Sequence, residues 1–181
     1  MPTPHPHRID PAARAWHPWL WAVATALLLA MQLTDDVRWG LFDFVVAGGL
    51  LFGACVAFEL AARRGRLRAY RWGAALGIGN ALALAWLTLA VGVLGSERDP
   101  ANAMFLAVIA VGGLASLVAW GRARAMAWAM AATALMQAGA AWVGWQAGFG
   151  FDALLALGFA VPWLASAVCF AIASRTRVDA R

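Results

Sequence analysis

The acidic residues of this chain are few, and most of them fall together. Asp35, Asp36, Asp43, Glu97 and Asp99 come from two polar links between apolar runs. Carboxylates converging on one point favour a hard cation such as Ca²⁺ or Mg²⁺, or concentrate cations at a pore mouth. Carboxylates at helix starts also act as caps, or form a solvated negative surface, here balanced locally by Arg38 and Arg98. Asp43 lies within Leu41-Phe42-Asp43-Phe44 and is expected to be partly buried, either capping its helix with help from Arg38 or handling protons.

Glu59 stands near the far end of the same apolar run, with Arg63 four residues on and on the same helical face. That spacing predicts an interfacial ion pair, or an exit gate for a proton or cation. Mid-membrane polarity is sparse. Asn80 and Gln137 sit about 13 and 16 Å along their helices at 1.5 Å per residue, a shared depth at which they either bond to each other and fix packing or line a solute or ion path. Asp43, Glu97, Asn80 and Gln137 together are the candidate path. Arg63, Arg64, Arg66, Arg68 and Arg71 form a basic run expected to anchor on anionic lipid headgroups, or to receive an acidic partner.

Other chemistry is excluded by what is missing. All 14 basic residues are arginine, so a Schiff-base lysine and a phosphate loop ending in Gly-Lys are impossible. His5, His7 and His17 all lie at the start of the chain, which removes a bis-histidine haem or a histidine-dependent nucleophile deep in the membrane. Cys55 and Cys169 both fall in apolar runs and read as small buried residues. The sequence therefore predicts no catalytic residue, no metal ligand set and no cofactor. Nucleic acid is not expected as a partner, because the arginines sit at helix ends.

The elements that must position these groups follow from composition. Of 181 residues, 64% are hydrophobic and 13% are charged, against about 45–50% and 25% in soluble domains. A soluble globule of this size could not hide that much apolar surface. Uncharged stretches run over 15–34, 44–58, 72–96, 100–121, 125–151 and 153–174. A spanning helix needs about 20 apolar residues, and the second stretch reaches that when extended to 39–62. The expected fold is an all-α integral membrane bundle of six transmembrane helices. Short links make sequential helices antiparallel neighbours. Residues 1–14 are expected to form a disordered lead, 15–175 the bundle and 176–181 a tail, with the first span an uncleaved anchor.

Placing the N-terminus inside puts twelve of the arginines on one side and only Arg38 and Arg98 on the other. This is a strong positive-inside pattern, so both termini are expected to be cytoplasmic. Tryptophans near both ends form an aromatic belt, whereas Trp86 and Trp163 lie deeper. Small residues four apart mark close-packing faces: Gly49 and Gly53, Gly73 and Gly77, and Ala140, Gly144 and Gly148. Pro162 is expected to bend the sixth helix.

Two motifs carry a resemblance. One is Leu41-Phe42-Asp43-Phe44 with Ala47-Gly48 and Leu50-Leu51, followed by Glu59 and Arg63. The other is Ala90-Val91-Gly92, then Gly95-Ser96-Glu97 and Pro100-Ala101-Asn102. They resemble a family of small multi-spanning bacterial inner-membrane proteins known as hypothetical proteins, over residues 31–137. This chain has Thr88 and Arg98 where that family tends to have Asn and Asp, which makes its outer loop less acidic. The resemblance implies an inner-membrane location and the two loops. It implies no substrate.

The resulting expectation is a non-enzymatic membrane protein that transports or senses a small solute or ion. The alternatives are an accessory or structural subunit of a larger membrane complex and, third, a membrane enzyme acting on a lipid. The expected partners are the bilayer with its anionic headgroups and, through the glycine faces, a second copy or another membrane protein.

Overall fold

The computed structural model describes residues 17–32, 40–65 and 67–178. The lead 1–14, Trp16, Asp35, Asp36, Arg38, Trp39, Arg66 and Arg181 lie outside the described residues. What is described is all-helical: α1 (Pro18–Gln32), α2 (Leu41–Arg64), α3 (Arg68–Ala90), a single 3₁₀ turn (Pro100–Asn102) leading into α4 (Ala103–Val118), then α5 (Ala123–Gln146), α6 (Phe151–Gly158) and α7 (Ala160–Val178). Five helical segments are long and apolar enough to cross a membrane, with α6 and α7 together making the fifth. The described part of α1 is 15 residues. Large apolar side chains point outward along every long segment, among them Phe42, Leu114, Leu135 and Val168, a surface suited to lipid rather than water.

Two apolar runs are interrupted where composition alone would continue them. The third ends at Ala90 because Gly92 and Gly95 take φ values of +88° and +64°. A Cβ on Gly92 would lie 2.4 Å from the Ser96 carbonyl carbon, so only glycine permits the turn. Residues 91–96 fold under the end of the bundle instead of extending α3. Val93 and Leu94 become buried there with Phe105, Ala140, Ala141 and Ala153. The sixth run breaks at Phe159, three residues before Pro162. Pro162 has no N–H for the Gly158 carbonyl, and its ring crowds that same oxygen.

The glycine faces divide. Gly73 lies against the Phe170 ring, Gly77 against Met130 and Ser166, and Gly144 against Leu94, each at 2.9–3.2 Å from the position a Cβ would take. These are close approaches of the kind that hold helices together in lipid. Among the described residues, a Cβ on Gly49, Gly53 or Gly148 would meet nothing within 4 Å, so these three make no close approach there. The pairings Gly73 with Phe170, Gly77 with Ser166 and Asn80 with Phe159 run α3 alongside α7 in opposite order.

Candidate functional site

The four candidate path residues are placed in three different settings, and the structure does not bring them together. Asp43 is exposed, and its Oδ2 accepts the Gly40 N–H at 2.8 Å. It reaches back from the first turn of α2 to an otherwise unmatched donor, which is capping. Glu97 is also exposed and meets the adjacent Arg98 at 3.7 Å, an ion pair in the range of about 0–1 kcal/mol. Among the described residues, no group of three or more acidic, histidine or cysteine side chains is arranged to hold a metal ion.

The other outer acids also serve the backbone. Asp99 Oδ1 accepts from Ala101 N at 2.8 Å, and Pro100 begins the turn. Asp152, in the first turn of α6, reaches outside its own helix. Its Oδ2 accepts from Gly95 N at 3.0 Å and so ties α6 to the 91–99 loop. The centre of that loop is Asn102, buried at the start of α4. Its Oδ1 accepts from Val93 N and Leu94 N at 2.8 and 2.9 Å, while its Nδ2 donates to Leu94 O and Ser96 O at 3.1 and 2.7 Å. The second resemblance motif is thus a loop with a built-in clasp. Leu94 is fully buried beneath the loop, packed with Phe105, Ala140 and Ala153.

Asn80 and Gln137 share a depth, but each turns to the break between α6 and α7. Asn80 Nδ2 donates to Phe159 O at 3.0 Å, and Gln137 Nε2 to Ala156 O at 2.8 Å. The two amides satisfy carbonyls beside the break, as discontinuous helices in lipid require. Gln137 Oε1 is buried without a partner among the described residues. Interhelical amide bonds of this kind are worth about 0.6–2 kcal/mol. Asn80→Leu is therefore expected to lower stability by about 1 kcal/mol. Gln137→Leu, which also removes an unmet acceptor, should cost less, as read from denaturant unfolding in mixed micelles.

The group that remains is Glu59. It lies within α2 at 2% exposure. One partner is His17, 42 residues earlier at the foot of α1. The His17 backbone N–H donates to Glu59 Oε1, and His17 Nδ1 lies 3.2 Å from the same oxygen. His17 immediately precedes α1, so the carboxylate faces the positive end of that helix. Phe58 meets the imidazole edge-on at 5.6 Å. Glu59 Oε2 is buried and has no hydrogen-bond partner among the described residues.

The joint between α1 and α2 extends upward from there. Cys55, one turn from Glu59, donates weakly to Leu20 O at 3.9 Å, and Trp21 stacks edge-on with Phe52. Ala24, Leu51 and Cys55 form a small buried cluster of their own. The His17 side chain is 30% exposed, so the joint opens to its surroundings at the imidazole. On another side of α2, a cavity of about 320 Å³ runs among α2, α3, α4, α5 and α7, and no ionisable group lines it.

Sequence reasoning singled out Glu59 but not His17, because the pairing is long-range and leaves no periodic trace. The signal that existed was the pair of facts that one acid stood inside an apolar run and one histidine stood at the opening of another. No family model, curated protein or solved structure matches the chain.

Proposed function

We propose that this chain is a non-enzymatic inner-membrane protein that senses, and in a second arrangement moves, a proton or small cation at Glu59. The supporting observation is the buried Glu59 carboxylate with one oxygen unmet. An ionisable group in a spanning segment is costly unless compensated, and such groups mark ion and proton sites. A proton or a small cation on Oε2 supplies the missing partner, and His17 gives it an exposed route.

Sensing is favoured over a through-path. At the opposite end Leu94 is fully buried under the Asn102-clasped loop, and the mid-depth amides of Asn80 and Gln137 are engaged with backbone. Asp43 and Glu97 in this reading attract cations electrostatically without binding them at a mouth. The arginine asymmetry supports a six-span antiparallel bundle with both termini cytoplasmic, which puts Glu59 near the cytoplasmic surface. Arg63, Arg64, Arg66, Arg68 and Arg71 then anchor on anionic headgroups beside it.

Among the described residues, His17 on α1 and Cys55 on α2 are titratable neighbours of Glu59, and Arg63 follows it by four positions on the same helix. A titration of detergent-solubilised protein with protons, Na⁺ and K⁺, followed by calorimetry, tests the reading. The expected result is saturable uptake by the wild type that disappears in Glu59→Gln and persists in Asp43→Asn. Equal uptake by wild type and Glu59→Gln would remove Glu59 as the site. A second reading, an assembly subunit, rests on the open α2 face of Gly49 and Gly53 with exposed Phe52 beside it, which offers a close-packing surface to a second copy or another membrane protein.

A further inference from the structure

A cavity of about 680 Å³ forms a trough along the outside of the α5–α7 joint. Arg124 from the start of α5 and Arg175 from the end of α7 lie together at one end of it. Trp128 and Ser174 line the same end, and Leu164 lines the other. The floor between is mostly alanine, including Ala131 and Ala171, with Val168 among them. Both arginines are exposed, and neither makes a hydrogen bond or ion pair with another described residue. Arg71, Arg98 and Arg122, by contrast, each meet an acceptor in the chain. Two uncommitted guanidiniums at the head of an apolar trough call for a ligand with an anionic head and an apolar tail.

The length of the trough narrows the ligand further. From Leu164 to Arg175 is about 16 Å at 1.5 Å per residue. This is half of the roughly 30 Å hydrocarbon core, hence the depth of one leaflet. Small side chains along the floor leave room for a chain to lie against the helices. The exposed Trp128 ring, next to the arginines, suits the headgroup level.

The geometry points to a defined binding site for one anionic phospholipid of the arginine-bearing leaflet. Its phosphate sits between Arg124 and Arg175, and one acyl chain lies in the alanine trough. This site is separate from the Arg63 to Arg71 run, none of whose arginines lines the trough, and it does not depend on the role of Glu59.

The test is native mass spectrometry of full-length protein released from nanodiscs containing phosphatidylglycerol and phosphatidylcholine. The expected result is one phosphatidylglycerol retained in preference to phosphatidylcholine. The double variant Arg124→Gln/Arg175→Gln should weaken that retention by about 30-fold, from two charges at the membrane surface. Ala171→Trp, which fills the trough and keeps both arginines, should also release the lipid. Glycerol 3-phosphate, which has the head and no chain, should not compete. Both arginines are exposed, so the double variant keeps its packing, and an unchanged elution volume would verify this. Unchanged retention in the double variant, equal retention of phosphatidylcholine, or displacement by glycerol 3-phosphate would each overturn the proposal.

Discussion

Replacing Asn102 by alanine is expected to cost about 3–5 kcal/mol, the largest loss from any single polar substitution in this chain. Asn102 makes four hydrogen bonds with the backbone of residues 93–96. Three of them involve Val93 and Leu94, which are 6% and 0% exposed. Removing the amide leaves two buried N–H donors and the Leu94 carbonyl without partners, while Ser96 O keeps the Asp99 N–H. The penalty for such orphans, about 1–3 kcal/mol each before relaxation, exceeds the net value of the bonds themselves. Relaxation toward solvent would lift Leu94 from its place against Gly144, so the loop and the α5 contact should fail together. Asp99→Ala is the control. It removes one 2.8 Å bond at a half-exposed turn and should cost about 1 kcal/mol. Reversible unfolding in mixed micelles reads both values. Near-equal losses in the two variants would show that Asn102 is not the clasp.

Phe170→Ala is expected to cost about 2–4 kcal/mol, and the reasoning differs from that for a soluble core. Phe170 is fully buried, lies 4.9 Å from the Tyr70 ring centroid in an edge-on arrangement, and fills the space that Gly73 leaves on α3. In a soluble protein the same truncation costs about 3–5 kcal/mol, part of it from transfer to water. A spanning helix released into lipid does not meet water, so the transfer component shrinks and lost packing remains. Gly73→Ala probes the same contact from the other side. Its Cβ would sit 3.0 Å from the ring, an overpacking cost of about 1–3 kcal/mol. Phe170→Leu should relieve that clash, so the double variant should be more stable than the sum of the single losses predicts. Strict additivity would mean that α3 and α7 do not meet at this point.

Much of the architecture could be read from composition, because a helix that crosses a membrane must be long, apolar and uncharged. The starts of α2, α5 and α6 lie close to the charges and glycines that mark them. What composition could not show is where an apolar run stops being helix. Residues 91–96 are as apolar as the helix before them, and only the glycines at 92 and 95 distinguish a plug from a span. The break at Phe159 was signalled by Pro162, yet the sequence could not say that Asn80 and Gln137 attend to it. At matched depth they look like partners for each other. Asn102 passed as part of a motif, since a four-bond clasp depends on a loop that folds back onto it. Asp43 read as partly buried from its apolar neighbours, but Leu41 and Phe42 beside it face outward. Glu59 was found, and His17 was not, because helical spacing suggests Arg63 and says nothing about a residue 42 positions away.

The Glu59 reading makes α1 the responsive element. Among the described residues, the α1–α2 joint includes the Glu59–His17 contact, the His17–Phe58 and Trp21–Phe52 ring contacts, a weak Cys55 bond and a three-residue buried cluster, a smaller buried cluster than the one that joins α3, α5 and α7. Changing the occupancy of Glu59 changes what faces the start of α1, and a lightly held helix is where such a change registers. Hydrogen exchange of the α1 backbone, measured across pH and across Na⁺ concentration in detergent, tests this most directly. The account predicts that exchange over residues 18–30 shifts with proton or cation occupancy in the wild type and becomes independent of both in Glu59→Gln, while α5 and α7 stay constant in each. Exchange over α1 that responds identically in wild type and Glu59→Gln, or does not respond in the wild type, would contradict it.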